Sequence, residues 1–248
     1  MLINLRFTFL PLFLAFLMFT NCQNRPNDKM LPVDESMQNE QEGNVQPSYD
    51  SVYDSLVVRV LPVDESSLDS TFIVFKSRLL NALDSKDVGF ITSILDDNIK
   101  VSFGGDDGKK DFINYWNLDS ERSEFWLEMK TCLGLGGTLE NYEEKMFVFP
   151  YLYSRWPDEF DAFEFGAIIS PQVKLKSKPD NAAKTISFLN YEIVNLLNLS
   201  GKDWVELETQ DGTIGYVRQN ELRSPIDYRA GFMNQGGGWK MVFFVSGD

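Results

Sequence analysis

The sequence predicts two folded units of different class behind an N-terminal leader and a polar linker: an α+β domain of helices packed on a small mixed sheet, and an all-β barrel. Three observations predict this. Apolar residues recur at helical spacing between Phe72 and Leu133, and they alternate at strand spacing between Val173 and Leu222. After a Gly-rich turn, a last apolar run from Trp239 to Val245 alternates again.

The chain opens on Leu2 to Phe19, almost unbroken apolar sequence with one early cation, Arg6, and no acid. That pattern predicts a secretory signal peptide over residues 1–21. The run approaches the roughly 20 residues of a membrane-spanning helix, but no basic stop-transfer cluster follows. It ends in Phe19-Thr20-Asn21-Cys22, with Leu17 upstream, and so resembles the lipobox of bacterial lipoproteins, with Phe19 and Asn21 where smaller or aliphatic residues are usual. The resemblance implies that Cys22 is acylated and anchors the chain to a membrane of the bacterial cell envelope, periplasmic or surface-exposed. An uncleaved helical anchor and an ordinary signal peptide are the alternatives. With Cys22 lipidated, Cys132 is the only remaining thiol, which excludes an intrachain disulfide.

Residues 22–68 are polar and acidic and predict a disordered tether. Within it Leu31-Pro32-Val33-Asp34-Glu35-Ser36 recurs unchanged as Leu61-Pro62-Val63-Asp64-Glu65-Ser66. Two copies are too few for a solenoid, and leave a duplicated linker or a short docking motif used twice.

The α+β domain is expected over 69–170. Phe72, Phe75, Leu79 and Leu83 share one helical face behind caps at Asp69 and Ser70. Val88, Ile91, Ile94 and Leu95 predict a second helix, Ile99 to Phe103 a strand, Lys109 to Trp116 and Ser120 to Leu133 two more helices. Met146 to Tyr153 and Phe163 to Ile169 supply further strands. A C-terminal hairpin over 225–248 is expected to return to this domain, because a lone hairpin is marginal in water. The order helix, helix, strand, helix, with Ala82-Leu83-Asp84-Ser85-Lys86-Asp87 and the closing hairpin, resembles nuclear-transport-factor-2-like domains. That resemblance implies a cavity for a small apolar ligand, near Phe147, Phe149, Tyr151 and Tyr153.

Between them, 171–224 reads as short alternating strands joined by Gly-containing turns, which suits a small closed barrel. Gly215 inside a strand fits the close backbone approach such closure requires. Val173-Lys174-Leu175-Lys176-Ser177-Lys178-Pro179 resembles the opening of bacterial Src-homology-3-like (SH3-like) domains, with Lys174 and Lys176 where arginine is frequent. Trp156 to Phe163 and Leu222 to Ala230 are similar to an uncharacterised group of bacterial proteins that carry this domain. The resemblance implies recognition of a cell-wall peptide or an envelope protein and supplies no activity.

Chemistry is narrowed by exclusion. The chain has no histidine, which removes His-dependent triads, His metal sites and His acid/base pairs. A net charge of -14, or -15 once Arg6 leaves with the leader, disfavours nucleic acid as a partner. Neither Phe103 to Lys109 nor Gly134 to Leu139 completes a phosphate-loop or dinucleotide fingerprint. No cofactor and no metal site is expected. Trp204, Tyr216, Tyr228 and Trp239 form the candidate ligand-binding set, Trp204 opposing the inward Val205 and Leu207 on its strand. The alternative is an acidic cluster for glycan hydrolysis, Asp158, Asp161 and Glu164, one helical turn apart if Pro157 opens a helix. The expectation is therefore a non-catalytic envelope lipoprotein that binds through its barrel.

Overall fold

Helix α1 (Ser70–Ser85) begins where Asp69 Oδ1 accepts from the backbone N–H groups of Thr71 and Phe72, at 2.8 and 3.2 Å. It ends where Lys86 turns left-handed and returns its N–H to Ala82 and Leu83. Such a cap satisfies groups that a helix end leaves open, at about 1 kcal/mol for the N-terminal one. The computed structural model describes residues 56–105, 107–141, 144–198 and 203–247. The expected signal peptide, Cys22 and the first copy of the repeat lie outside the described residues.

Helices α2 (Val88–Ile94), α3 (Lys109–Trp116) and α4 (Phe125–Gly134) follow, with β1 (Leu95–Lys100) between α2 and α3. Next come β2 (Thr138–Asn141), β3 (Lys145–Phe149), the short α5 (Tyr151–Arg155) and β4 (Phe165–Ile168). Strands β5 (Val173–Lys176), β6 (Thr185–Leu189), β7 (Ile193–Asn198), β8 (Trp204–Glu208), β9 (Ile214–Arg218) and β10 (Leu222–Arg223) form one stretch. The chain closes with β11 (Arg229–Gln235) and β12 (Gly238–Val245). Among the described residues no helix is long and apolar enough to cross a membrane.

The protein is α+β, with two sheets. The first has the order β1-β12-β11-β3-β2, with β1 parallel to β12 and the other pairs antiparallel. The C-terminal hairpin thus occupies its middle, between strands that precede β5 by sequence. Aromatic packing closes the unit: Phe72 of α1 stacks on Phe147 at 3.8 Å and meets the Trp239 ring edge-on at 4.8 Å. Phe112, Phe125, Phe232, Met241 and Phe244 complete a core with essentially no exposure. The second sheet, wholly antiparallel, runs β10-β4-β7-β8-β9-β5-β6 around Val173, Leu175, Val194, Leu207 and Val217.

Three expectations are corrected. The tether does not reach residue 68: Val60 is buried and donates its N–H to Tyr191 O, Ile193 donates to Val58 O, and Glu65–Leu68 form a 3-10 turn. Its few apolar residues suffice because they fill a joint already lined by Tyr151, Leu152, Ala167 and Ile193. The α+β domain does not extend to 170, since β4 pairs with β7 and β10 rather than with β3. The strand expected over Met146 to Tyr153 stops at Phe149, and Tyr151–Arg155 is helical. Alternation alone does not reveal this, because Tyr151 and Leu152 are both buried, which a half-exposed strand would not allow.

Candidate functional site

Strand β12 carries a bulge that builds one wall of a cavity. Gly231 pairs with Phe243 but Phe232 pairs with Met241, so Val242 is the extra residue. The bulge reverses which face each side chain takes. Trp239 and Met241 before it, and Phe244 after it, enter the aromatic core. Phe243 and Val245 turn to the opposite face, beside their pairing partners Gly231 and Arg229. Gly231 is the seat for the Phe243 ring: a Cβ there would lie 2.2 Å from Phe243 Cε1.

A cavity of about 370 Å³ opens on that face, lined by Phe243, Val245, Arg229, Tyr153 of α5, Lys100 of β1, and Ser102, Phe103, Gly105 and Asp107 of the following loop. Its size lies within the range of roughly 300–1,000 Å³ typical of small-molecule sites. Gly105 and Gly108 both have positive φ, at 95° and 100°, which lets the loop fold back so that Lys100 and Asp107 form an ion pair at the rim.

Arg229 dominates the electrostatics. It is 3% exposed, and its guanidinium lies 4.6 Å from the Tyr153 ring centroid and 5.5 Å from that of Phe103. Nη1 donates to Ile226 O at 3.3 Å. Among the described residues no carboxylate lies within ion-pair distance of it. Arg223, also buried, is treated differently: its Nη2 donates to Glu128 Oε1 and to Tyr228 O, both at 2.8 Å.

The four aromatic candidates do not form one site. Trp239 is buried in the aromatic core and donates its indole N–H to Thr71 Oγ1 at 3.0 Å. Tyr228 packs on Trp116 and Phe244 and shares a 2.8 Å hydrogen bond with the Tyr115 hydroxyl. Burial and that hydrogen bond push the Tyr228 hydroxyl up to about 12. Both rings are spent on the fold, Tyr228 at its edge and Trp239 at its centre. Trp204 and Tyr216 do share the outer face of β8 and β9, where the Arg218 guanidinium lies 4.2 Å over Trp204 and the Tyr216 hydroxyl donates to Glu206 at 2.6 Å. The hydrogen bond to Glu206 also raises the Tyr216 pKa. Beside this pair runs a polar groove of about 570 Å³, lined by Asp203, Arg218, Gln219, Asn220 and Glu221.

The acidic cluster is not on a helix. Pro157 to Glu164 is a series of turns, with Asp158, Asp161 and Glu164 all exposed and Asp161 Oδ1 accepting from Phe163 N at 2.8 Å. None of the three borders either concavity. Trp156 Nε1 donates to Phe160 O instead, because the apolar side chains of this segment pack into the joint between the sheets. Cys132 is fully buried, donates its thiol to Phe149 O at 3.1 Å, and is pushed up to about 12 by burial, which keeps it an unreactive thiol. Among the described residues no three His, Cys, Asp or Glu side chains converge as a metal site would.

Sequence reasoning passed over Arg229 and Phe103, while Tyr153 alone of the four aromatics expected beside a ligand cavity lines this one. The available signal was Arg229 itself, a charge inside the otherwise apolar run Tyr228 to Phe232. No protein-family model, curated protein or solved structure matches the chain.

Proposed function

We propose that the protein is a non-catalytic binding protein whose principal ligand is a small anion with an apolar body, such as a carboxylate, held in the Arg229 cavity. The observation that carries this is the buried Arg229 guanidinium, which meets two aromatic rings but, among the described residues, no acid within ion-pair distance. A buried charge without a counter-ion costs several kcal/mol. Cation–π contacts recover about 2 kcal/mol at a desolvated site. A ligand carboxylate completes the balance, since a guanidinium offers it two parallel donors, while Phe243, Phe103 and Val245 receive the apolar part.

The test is calorimetric titration with octanoate and with octanol, on the native protein and on Arg229→Met. Octanoate should bind the native protein at least tenfold more tightly than octanol, and Arg229→Met should remove that preference without lowering the melting temperature. Equal binding of the two probes, or octanoate binding that survives Arg229→Met, refutes the assignment.

In the same reading the seven-stranded sheet is an SH3-like barrel and the helices on the five-stranded sheet are a nuclear-transport-factor-2-like unit. Gly215 supports the first: a Cβ there would lie 2.7 Å from Leu175 Cγ and 2.9 Å from Lys176 O, the close crossing a small barrel needs. For the second, the helix-facing side is filled by Phe72, Phe147, Phe149 and Phe232, so the ligand cavity moves to the other face, with Tyr153 at its wall. A second binding surface, for a cell-wall peptide or envelope protein, is the groove beside Trp204 and Arg218. Cys22 tethers the whole to the envelope as a lipid anchor. Sedimentation with peptidoglycan sacculi checks the barrel surface, and Trp204→Ala should abolish it.

A further inference from the structure

The hexapeptide Leu61–Ser66, expected to be linker, is held in a specific seat. The Val63 carbonyl sits where a Cβ on Gly136 would be, 2.4 Å away, a position only glycine leaves open. Glu65 N donates to Gly137 O at 2.8 Å. The Glu65 carboxylate takes the Leu139 N–H on Oε2 and Arg155 Nη2 on Oε1, both at 2.7 Å. Asp64 accepts from Lys76 Nζ at 2.6 Å and caps the 3-10 turn, and Ser66 is buried with its hydroxyl 3.1 Å from the same ammonium. Every partner named, apart from the cap, lies at residue 76 or beyond, in the folded body.

The same six residues occur again as Leu31–Ser36. The likeness extends to the flanks the seat uses: buried Val60 corresponds to Met30, also apolar, and Arg59, paired with Glu192, corresponds to Lys29. We propose that Leu31–Ser36 is a second occupant of this seat, exchanging with Leu61–Ser66 within one molecule. Each contact of Val63, Asp64, Glu65 and Ser66 has its counterpart in Val33, Asp34, Glu35 and Ser36. The resident copy is favoured by proximity, because residues 67 and 68 alone join it to Asp69, whereas residues 37 to 68 join the other. Loop-closure statistics put that advantage on the order of 60-fold. Loss of the Glu65 carboxylate, with its two charge-assisted bonds, weakens the resident on the order of 100- to 10,000-fold, which leaves the seat mainly to the second copy. Exchange moves the point of attachment by thirty residues. With the lipid anchor of the proposed function at Cys22, it shortens the tether's reach from roughly 35 Å to roughly 15 Å. The exchange itself does not depend on that anchor.

Hydrogen exchange at the Leu139 amide reads the seat directly, and at the Phe232 amide it reads the intact sheet. In the full chain, Glu35→Ala should leave Leu139 protection unchanged and Glu65→Ala should lower it by no more than about 60-fold, the closure advantage of the resident copy. The double variant should lower it at least several-fold below Glu65→Ala, with Phe232 still protected. If Phe232 protection also falls in the double variant, millimolar acetylated and amidated Lys-Met-Leu-Pro-Val-Asp-Glu-Ser must restore it. A Glu65→Ala variant as exposed as the double variant overturns the proposal, as does failure of the peptide to restore protection. Protection in Glu65→Ala that disappears on dilution overturns exchange within one molecule and assigns the occupant to a neighbouring copy.

Discussion

A chain ending at Ser224 lacks β11 and β12, the two middle strands of the five-stranded sheet. Among the described residues β12 is the only strand paired with β1, and β11 the only one joining β3 to it, so what remains is β1 alone and the β2–β3 hairpin. A two-stranded hairpin is marginal in water. The truncation also removes Phe232, Trp239, Met241 and Phe244, each buried in the aromatic core. At roughly 1.5–3 kcal/mol per buried side chain their loss costs about 6–12 kcal/mol, comparable with the whole stability of a typical domain, about 5–15 kcal/mol. The seven-stranded sheet keeps every strand, because β10 ends at Arg223. Hydrogen exchange should therefore show α1 and α4 losing protection while β7, β8 and β9 keep theirs, and near-ultraviolet dichroism should lose most of its aromatic signal. If α1 amides stay protected and residues 70 to 155 still melt cooperatively, the hairpin is not part of that core and the packing argument fails.

Gly231→Ala forces the Phe243 ring to move by roughly 1.5 Å to regain a normal contact distance, at a cost of about 1–3 kcal/mol. The ring moves into the cavity, so octanoate affinity should fall with Arg229 untouched, and unchanged affinity would show that Phe243 is not a wall of the site. Stability should also fall at high pH. Cys132, and Tyr151 and Tyr228, are held near 12 by burial, with the Tyr115 hydrogen bond adding to the effect at Tyr228, against ordinary values of 9.0 and 10.0. The unfolded chain loses these protons first, so each group's contribution is complete below its ordinary value and is lost as pH rises toward 12. The slope is about 1.4 kcal/mol per pH unit for each group. Urea titrations from pH 8 to 11 should show the decline beginning near pH 9 in the native protein and near pH 10 in Cys132→Ala.

What the sequence made legible were the elements whose apolar spacing is decided by one core. The α1 face of Phe72, Phe75, Leu79 and Leu83 is one, the alternation of Val205 and Leu207 against Trp204 is another, and both have the burial expected of them. The hairpin was legible as an element because Trp239 to Val245 alternates, yet that alternation breaks at Val242, and the break creates the cavity. A pattern reader treats the bulge as noise, although it alone turns Phe243 and Val245 toward Arg229. Residues 58 to 66 were misread for a related reason: composition measures what a segment could bury alone. Here the Gly136 and Gly137 backbone, Arg155 and Lys76 supply the partners from outside. Trp204, Tyr216, Tyr228 and Trp239 are large aromatics with a polar tip, a property that suits binding. The same property suits a core with scattered polar partners, and Thr71 and Tyr115 are such partners for Trp239 and Tyr228. Arg229 inverts the case: the two rings and the backbone carbonyl it meets leave its charge uncompensated among the described residues. That imbalance, more than the identity of any residue, is what marks a place for a ligand.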